Sequence, residues 1–307
     1  MARIGWIGLG HMGGPMAGHL VAAGDEVVGF DVDAHAVEQA RASGIRIAGS
    51  AVEAATGADV VFTSLPRSEH VREVLGGARG VLSAMDEDAL LLDTSTVDVA
   101  TSRWCHEQAS ARGIRFVDAP VSGGIAGARA GTLTFMLGGE PEALAEAAEF
   151  VQPMAGHVFT VGGPTSGIAA KLANNLMLFI SLLASSEGAR LAAELGLDPK
   201  VFHDIASVSS GDSWPVRTWY PVPGVVETSP ADRNFDATFT ARLAEKDLSY
   251  ALAAGEAAGL DLAAGRLALD RFERLIDEGY GDKDCSLVVK YVTPEGPTPG
   301  FDPDAAG

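Results

Sequence analysis

Cysteine is nearly absent from this chain. Cys105 and Cys285 are the only two in 307 residues, and they form neither a CxxC nor a His–Cys spacing. A structural zinc site or a zinc alcohol-dehydrogenase centre is therefore not expected, and no metal is assigned. Two isolated thiols suit a reducing compartment. Basic residues are scarce as well: 22 Lys and Arg stand against 41 Asp and Glu, a formal charge of −19. That balance argues against a nucleic-acid partner, whose phosphates need a basic patch, and against an anionic membrane surface. Its plain meaning is a strongly hydrated surface. A small anionic substrate would then depend on local cations, so individual lysines carry weight. Aromatics make up 7% of the chain and apolar residues 47%. The core must therefore be mostly Ala, Val, Leu and Ile, which suits helices and parallel strands better than a β-sandwich. No uninterrupted apolar run reaches the length of a membrane span. No basic segment leading into an apolar stretch opens the chain, so a cytoplasmic location is expected. No internal repeat is present.

What is present begins at once. Arg3 to Ile7 reads as a short buried strand, Gly8-Leu9-Gly10-His11-Met12-Gly13 follows, and Pro15 to Ala23 reads as a helix. A second strand, Glu26 to Phe30, ends on Asp31. Each glycine has a task in a dinucleotide-binding turn. Gly8 permits the tight turn, Gly10 lets backbone approach a pyrophosphate, and Gly13 lets helix and strand pack closely. The helix N-terminus offers free N–H groups to the phosphates. Asp31 lies where an acid bonds the adenosine ribose hydroxyls. It would also repel a 2′-phosphate, and Val32-Asp33-Ala34-His35 brings no Arg or Lys to neutralise one. NAD is therefore expected rather than NADP. Asp33 is the better candidate to cap the next helix, Ala34 to Ser43.

Strand-like runs then alternate with helical ones: Val60–Ser64, Leu90–Thr94, Arg115–Ala119, Thr134–Leu137 and His157–Val161, separated by helices at Ser68–Leu75, Asp98–Arg112 and Pro141–Val151. This alternation predicts an α/β fold with a Rossmann-type, doubly wound, mainly parallel sheet over residues 1–163. Ligands of such sheets bind beyond the carboxyl ends of the strands. Past Gly167 in its first turn, the only breaker from Ser166 to Leu195 is Gly188, and thirty helical residues would span ~45 Å. That length predicts a connecting helix opening an all-helical substrate and oligomerisation domain over 164–292. Helices are expected at Pro199–Ser207, Thr240–Ala258 and Leu262–Glu278, with an ordered loop at Trp214–Asn234. Residues 293–307, rich in Pro, Gly and Asp, are expected to form a flexible tail.

Two segments carry chemistry. Lys171, Asn174 and Asn175 sit near the start of the long helix, close to one face. The stretch around them is otherwise apolar, and desolvation there would bring a lysine toward general acid–base work. A snorkelling surface lysine is the other reading of the same spacing. Asp118-Ala119-Pro120-Val121-Ser122-Gly123-Gly124 follows a strand, and its Ser-Gly-Gly offers backbone N–H groups and a hydroxyl as a carboxylate cradle. A glycine-rich loop without a ligand is the alternative.

Together these stretches resemble the β-hydroxyacid dehydrogenase family, and within it the 3-hydroxyisobutyrate dehydrogenases, from Ile4 to about Tyr291. Three stretches carry the broad likeness: the glycine loop through Met16, the Asp118–Gly124 segment, and Gly167-Ile168-Ala169-Ala170-Lys171-Leu172-Ala173-Asn174-Asn175. Tyr220-Pro221-Val222-Pro223-Gly224-Val225, preceded by Ser209–Trp214, narrows it to the branch, and Ala244-Glu245-Lys246-Asp247-Leu248 is a fifth matching stretch. The resemblance implies NAD-dependent oxidation of 3-hydroxyisobutyrate to methylmalonate semialdehyde, as in valine degradation. Lys171 would be the general base, with Asn175 beside it in the catalytic centre. Ser122, Gly123, Gly124, Asn174, Trp214 and Lys246 would bind substrate. Gly8, Leu9, Gly10, His11, Met12, Gly13, Asp31, Leu65, Pro66, His70, Thr96, Phe239, Lys246 and Asp247 would line the cofactor. His11 replaces a usual asparagine and Thr94 a usual serine, and the acidic tail after Tyr291 has no family counterpart. Three alternatives stay open: a tartronate semialdehyde reductase or other small β-hydroxyacid dehydrogenase, an imine reductase, which would lack the lysine, and a catalytically silent cofactor-binding interaction protein.

Trp214, Trp219, Tyr220, Phe235 and Phe239 are the residues most able to give a substrate pocket an apolar wall, welcoming a methyl branch. The long apolar helix and its Ala-rich neighbours offer more apolar surface than one chain buries, so a homodimer or homotetramer is expected.

Overall fold

The computed structural model describes residues 1–293 and 296–305. The chain divides into two compact units, Met1–Leu172 and a second beginning at Ala173. The first opens with β1 (Arg3–Ile7), α1 (Gly13–Ala23), β2 (Glu26–Phe30), α2 (Ala34–Ala42), a two-residue β3 (Arg46–Ile47), α3 (Ala51–Ala55) and β4 (Val60–Thr63). It continues through α4 (Ser68–Leu75), β5 (Leu90–Asp93), α5 (Val99–Ser110), β6 (Arg115–Asp118), β7 (Val121–Ser122), α6 (Gly124–Ala130), β8 (Leu133–Gly139), α7 (Pro141–Val151) and β9 (Ala155–Gly162).

These strands form one sheet in the order β3-β2-β1-β4-β5-β6-β8-β7, with β9 pairing β8. The six strands from β3 to β6 are parallel, while β8 runs antiparallel to β6 and β7. Strand order reverses between β1 and β4, the place where doubly wound sheets open a ligand crevice. Every residue of β4 and β5 is buried, as the continuous apolar runs require of strands covered on both faces. Side chains alternate between the faces. Ile4, Trp6, Val60 and Phe62 join one core cluster, and Ile7, Val61 and Leu91 join the other.

Capping residues set several helix starts. Asp33 accepts the His35 N–H before α2, as expected, and Asp98 accepts the Thr101 N–H before α5. Five short elements escaped the sequence reading: β3, α3, β7, α6 and a helix at Trp214–Thr218, inside the expected loop. The two strands have two residues each, too few for an alternating pattern. The helix α6 opens on glycine (GIAGARA) and carries little helical propensity of its own.

The helix α8 (Ser166–Glu194) begins close to where the sequence put it. The sequence reading ends the first domain at residue 163, just before this helix; by packing, the first compact unit runs on to Leu172, within α8. The first turns of α8 are held by the sheet's unit: Ile168 is fully buried in its core and its N–H is bound by Asp118. By length and a mean hydropathy of 1.5, α8 would suffice to cross a membrane. Within the second unit, however, its Phe179 and Leu182 are fully buried in the core, and its Asn175 bonds Asp247.

The second unit adds α9 (Pro199–Ala206), α10 (Trp214–Thr218), α11 (Ala241–Ala257), α12 (Ala263–Asp277) and a 3₁₀ segment, Cys285–Tyr291. Among the described residues its helices and loops are joined by two isolated bridges, Asp236 to Lys283 and Thr240 to Asp284. Phe179, Leu248, Phe272, Leu275 and Val288 form its core. Gly265 lets α12 come close, because a Cβ there would lie 2.7 Å from Leu176 Cδ1. Two expectations change here. Trp219, Tyr220 and Phe235 are buried at 7%, 1% and 0% exposure, Trp219 and Phe235 in the main core and Tyr220 in a smaller apolar cluster. They are structural rather than pocket-forming. The described part of the expected flexible tail is also held. Phe301 sets its ring against Phe235 and Tyr280, and Asp302 exchanges two hydrogen bonds with Asn234. Residues 294, 295, 306 and 307 of that tail lie outside the described residues.

Candidate active site

The glycine loop follows β1 and is shaped by contacts that tolerate no side chain. Gly8 has φ +94° and its Cβ would lie 2.2 Å from Ser64 O. A Cβ on Gly13 would lie 1.9 Å from Gly8 O. Trp6 stacks on Phe62 at 4.7 Å and donates its indole N–H to Gly8 O, fixing the turn from below. Gly10 differs: a Cβ there would meet nothing within 4 Å. Packing alone does not demand that glycine, and its bare backbone is what a pyrophosphate needs. Met12 caps α1 without any side-chain hydrogen bond, so the helix N-terminus keeps its N–H groups for a ligand. The residues fit a dinucleotide on these grounds.

Asp31 binds the loop to the end of β2. One carboxylate oxygen accepts the Leu9 N–H at 2.6 Å and the other the Asp33 N–H at 2.8 Å. The acid is half-buried and Val32 is 92% exposed. His11 is exposed and Met12 half-buried.

The ends of β4 and β5 form a second edge of the cradle. Thr63 donates to Asp93, Thr94 donates to Thr63 O, and Ser95 accepts the Leu65 N–H at 2.8 Å. Asp93 is 2% exposed, and burial pushes its carboxyl up to about 6 against the lowering pull of Ser95 and Thr63. Leu65 and Thr96 are half-buried beside this knot, while Pro66 and His70 are exposed. Thr94 spends its hydroxyl on the strand ends. Sequence reading singled out Thr94 but gave Asp93 no role; its position at a strand's carboxyl end was the available signal.

In the segment after β6, Ser122 is half-buried and Gly123 and Gly124 are exposed. Both glycines are left-handed, at φ 131° and 64°, and a Cβ on Gly124 would meet nothing within 4 Å. Successive left-handed glycines turn backbone N–H groups outward, as an anion cradle requires. Asp118, the last residue of β6, faces the other way. It receives the N–H groups of Thr165 and Ile168 at 3.0 and 2.8 Å. One turn beyond Ile168 stands Lys171, 8% exposed. A lysine this buried is not a snorkelling surface residue.

In the second unit, Asn174 donates to Asn175 Oδ1 at 3.1 Å, and Asn175 donates to Asp247 Oδ2 at 2.7 Å. Lys246 Nζ lies 3.1 Å from Asp247 Oδ1. Asn175, Lys246 and Asp247 are exposed by 1%, 5% and 2%. Asp247, expected against the cofactor, thus has both oxygens on Asn175 and Lys246. Phe239 is half-buried between Phe179 and Trp219. Trp214 is 38% exposed with its ring edge-on to Trp219.

Known proteins resemble both units. Residues 3–163 match the NAD-binding domain of 6-phosphogluconate dehydrogenase. Residues 165–292 match the family described as the NAD-binding domain of NADP-dependent 3-hydroxyisobutyrate dehydrogenase. An NAD-dependent L-serine dehydrogenase of Pseudomonas aeruginosa is 40% identical over 96% of this chain and 99% of its own. The mitochondrial 3-hydroxyisobutyrate dehydrogenase of Mus musculus is 37% identical over 96% of this chain and 88% of its own. The solved 3-hydroxyisobutyrate dehydrogenase of Mycobacterium tuberculosis, described with L-serine, is 39% identical with a TM-score of 0.87, covering 95% of this chain and 99% of its own.

Proposed function

The chain belongs to the 3-hydroxyisobutyrate dehydrogenase family of NAD-dependent oxidoreductases, and from that membership we propose that it oxidises 3-hydroxyisobutyrate to methylmalonate semialdehyde. The observation that carries the reading is Lys171, an amine buried to 8% exposure on a helix whose first turn is bound by Asp118. Bound NAD supplies the hydride acceptor. Ser122, Gly123 and Gly124 hold the substrate carboxylate, so the reacting carbon sits at a fixed distance from it. Lys171 Nζ takes the proton of the 3-hydroxyl as the carbonyl forms. Asn175 orients the substrate oxygen, with Asn174 supporting it, and Lys246 adds a second cation toward the anionic substrate.

L-serine is the second reading, favoured by the serine dehydrogenase relative and by the solved relative described with L-serine. The two acids share a primary 3-hydroxyl and a carboxylate and differ at the α-carbon, which bears methyl in one and ammonium in the other. Among the five aromatics first considered as an apolar wall, Trp214 and Phe239 remain to support the methyl-branched acid. An ammonium left unpaired against such a wall would cost on the order of 1–3 kcal/mol or more. We therefore expect kcat/KM for (S)-3-hydroxyisobutyrate to exceed that for L-serine and D-glycerate at least tenfold with NAD, and NADP to serve far worse. Assaying the three acids with both cofactors decides the matter. A preference for serine or glycerate keeps the family and rejects the substrate; equal use of NADP rejects the role given to Asp31.

We also propose a homodimer or homotetramer and a cytoplasmic location. The first is supported by exposed Leu191, Leu195, Leu197, Val201, Ile205 and Val208 along the end of α8 and α9. The second is supported by two free, buried thiols.

A further inference from the structure

The base in the proposed reaction stands on a helix, and that helix has an unusual cap. Most helices in this chain that have a side-chain cap take it from the residue just before them, as Asp33 and Asp98 do for α2 and α5. The helix α8 takes its cap from Asp118, at the end of β6. One Asp118 oxygen accepts the Thr165 N–H at 3.0 Å and the other accepts the Ile168 N–H at 2.8 Å. His106, on α5, donates from Nε2 to the same carboxylate at 2.7 Å, and its ring is set edge-on to Phe116 at 4.6 Å. Asp118 is 2% exposed and the His106 side chain 12%.

The surrounding backbone is cut to fit this carboxylate. A Cβ on Gly167 would lie 2.3 Å from Met136 O and 2.9 Å from Asp118 Oδ2. A Cβ on Gly138 would lie 2.4 Å from Gly167 N and 2.8 Å from both Asp118 oxygens. Thr165 holds a left-handed φ of 71°, rare for a residue with a Cβ. Sheet backbone, helix start and carboxylate therefore meet with no side chain between them.

We propose that Asp118, held by His106, is a positioning residue that fixes Lys171 relative to the Ser122–Gly124 carboxylate cradle. Both ends of that distance start from one segment. Asp118 fastens the lysine's helix, and four residues later Ser122 begins the cradle. A proton acceptor misplaced by about 1 Å can lose on the order of 10² in rate, so a rigid link here has a catalytic effect without touching substrate. The proposal rests on Lys171 being the base.

The test is a double-mutant cycle of Asp118→Asn and Lys171→Ala, with kcat and NADH affinity measured for each variant. The asparagine keeps the size of the side chain but turns an amide N–H toward one of the two backbone donors. The expected result is a fall in kcat of about 20-fold or more for Asp118→Asn, with NADH affinity within twofold of wild type. In the Lys171→Ala background the same change should alter the residual rate less than twofold, because a residue acting only through another adds nothing once that other is gone. Multiplicative losses would overturn the proposal, as would an unchanged kcat for Asp118→Asn. Should Asp118→Asn not fold, His106→Gln takes its place, with a loss of threefold or more and the same non-additivity expected. Loss of NADH binding by both variants would also overturn it, since the group would then hold the fold and not the base. Lys171→Ala retaining a tenth of wild-type kcat would instead sink the reading of the base itself.

Discussion

Asp93 and Asp31 are both acids at the ends of parallel strands, yet the chain treats them oppositely. Asp31 is half-buried and accepts two backbone N–H groups. Asp93 is sealed in, with its carboxyl pushed up to about 6 by burial. The sequence made Asp31 legible, because fingerprint spacing is local. Asp93 was invisible in that reading, since its burial is produced by strands thirty residues apart. A pH dependence follows. Well below its ordinary value of 3.8 the group is protonated in folded and unfolded chains alike and costs nothing. Between the ordinary value of 3.8 and about 6 the unfolded chain releases the proton while the folded one keeps it. Stability therefore falls through that window by up to about 3 kcal/mol. Asp93→Asn, which can still accept from Thr63, should escape the fall. Urea midpoints at pH 4.5 and pH 7 check this: the variant's advantage over wild type should grow toward pH 7, and an equal difference at both values would contradict it.

The long helix shows what pattern reading captures in an element and what it does not. Its extent was legible because thirty residues carry apolar positions at helical spacing with no proline. The contacts of its first turn were not. Asp118, Gly138 and Gly167 bind that turn to the sheet through contacts at separations of 29 to 50 residues, which no local pattern records. The aromatics needed the structure for a similar reason. Composition marks Trp219, Tyr220 and Phe235 as able to line a pocket, and only packing assigns them to core. Gly167→Ala tests the tight helix start. Alanine ordinarily stabilises a helix interior by about 1 kcal/mol over glycine, but here the new methyl meets a strand carbonyl at 2.3 Å that cannot turn aside. Overpacking costs ~1–3 kcal/mol, so the variant should have a lower denaturation midpoint despite its better propensity. A raised midpoint would show that the sheet can yield.

For the whole molecule, the sequence foretold the class of fold and the family, because the motifs are short and their order is fixed. Assembly and substrate rest on surfaces instead, and surfaces leave weaker traces in sequence. The apolar side chains at the end of α8 and on α9 stand out on a chain of charge −19, Ile205 being 52% exposed and Leu195 72%. A second copy burying them would explain why α9 has no fully buried residue of its own. Light scattering at micromolar concentration should give at least twice the 31.6 kDa chain mass, and Ile205→Lys should lower it. A monomeric wild type would contradict the assembly while leaving the chemistry untouched.

The proposed chemistry turns on one amine. The direct measurement is the kcat of Lys171→Ala with 3-hydroxyisobutyrate and NAD, alongside NADH affinity in the same variant. General acid–base terms are worth ~10² to 10⁴, and in the proposed reaction this lysine also positions the substrate. The expected result is a fall in kcat of at least about a thousandfold, with NADH bound as tightly as by the wild type. A variant that keeps a tenth of wild-type kcat would contradict the account.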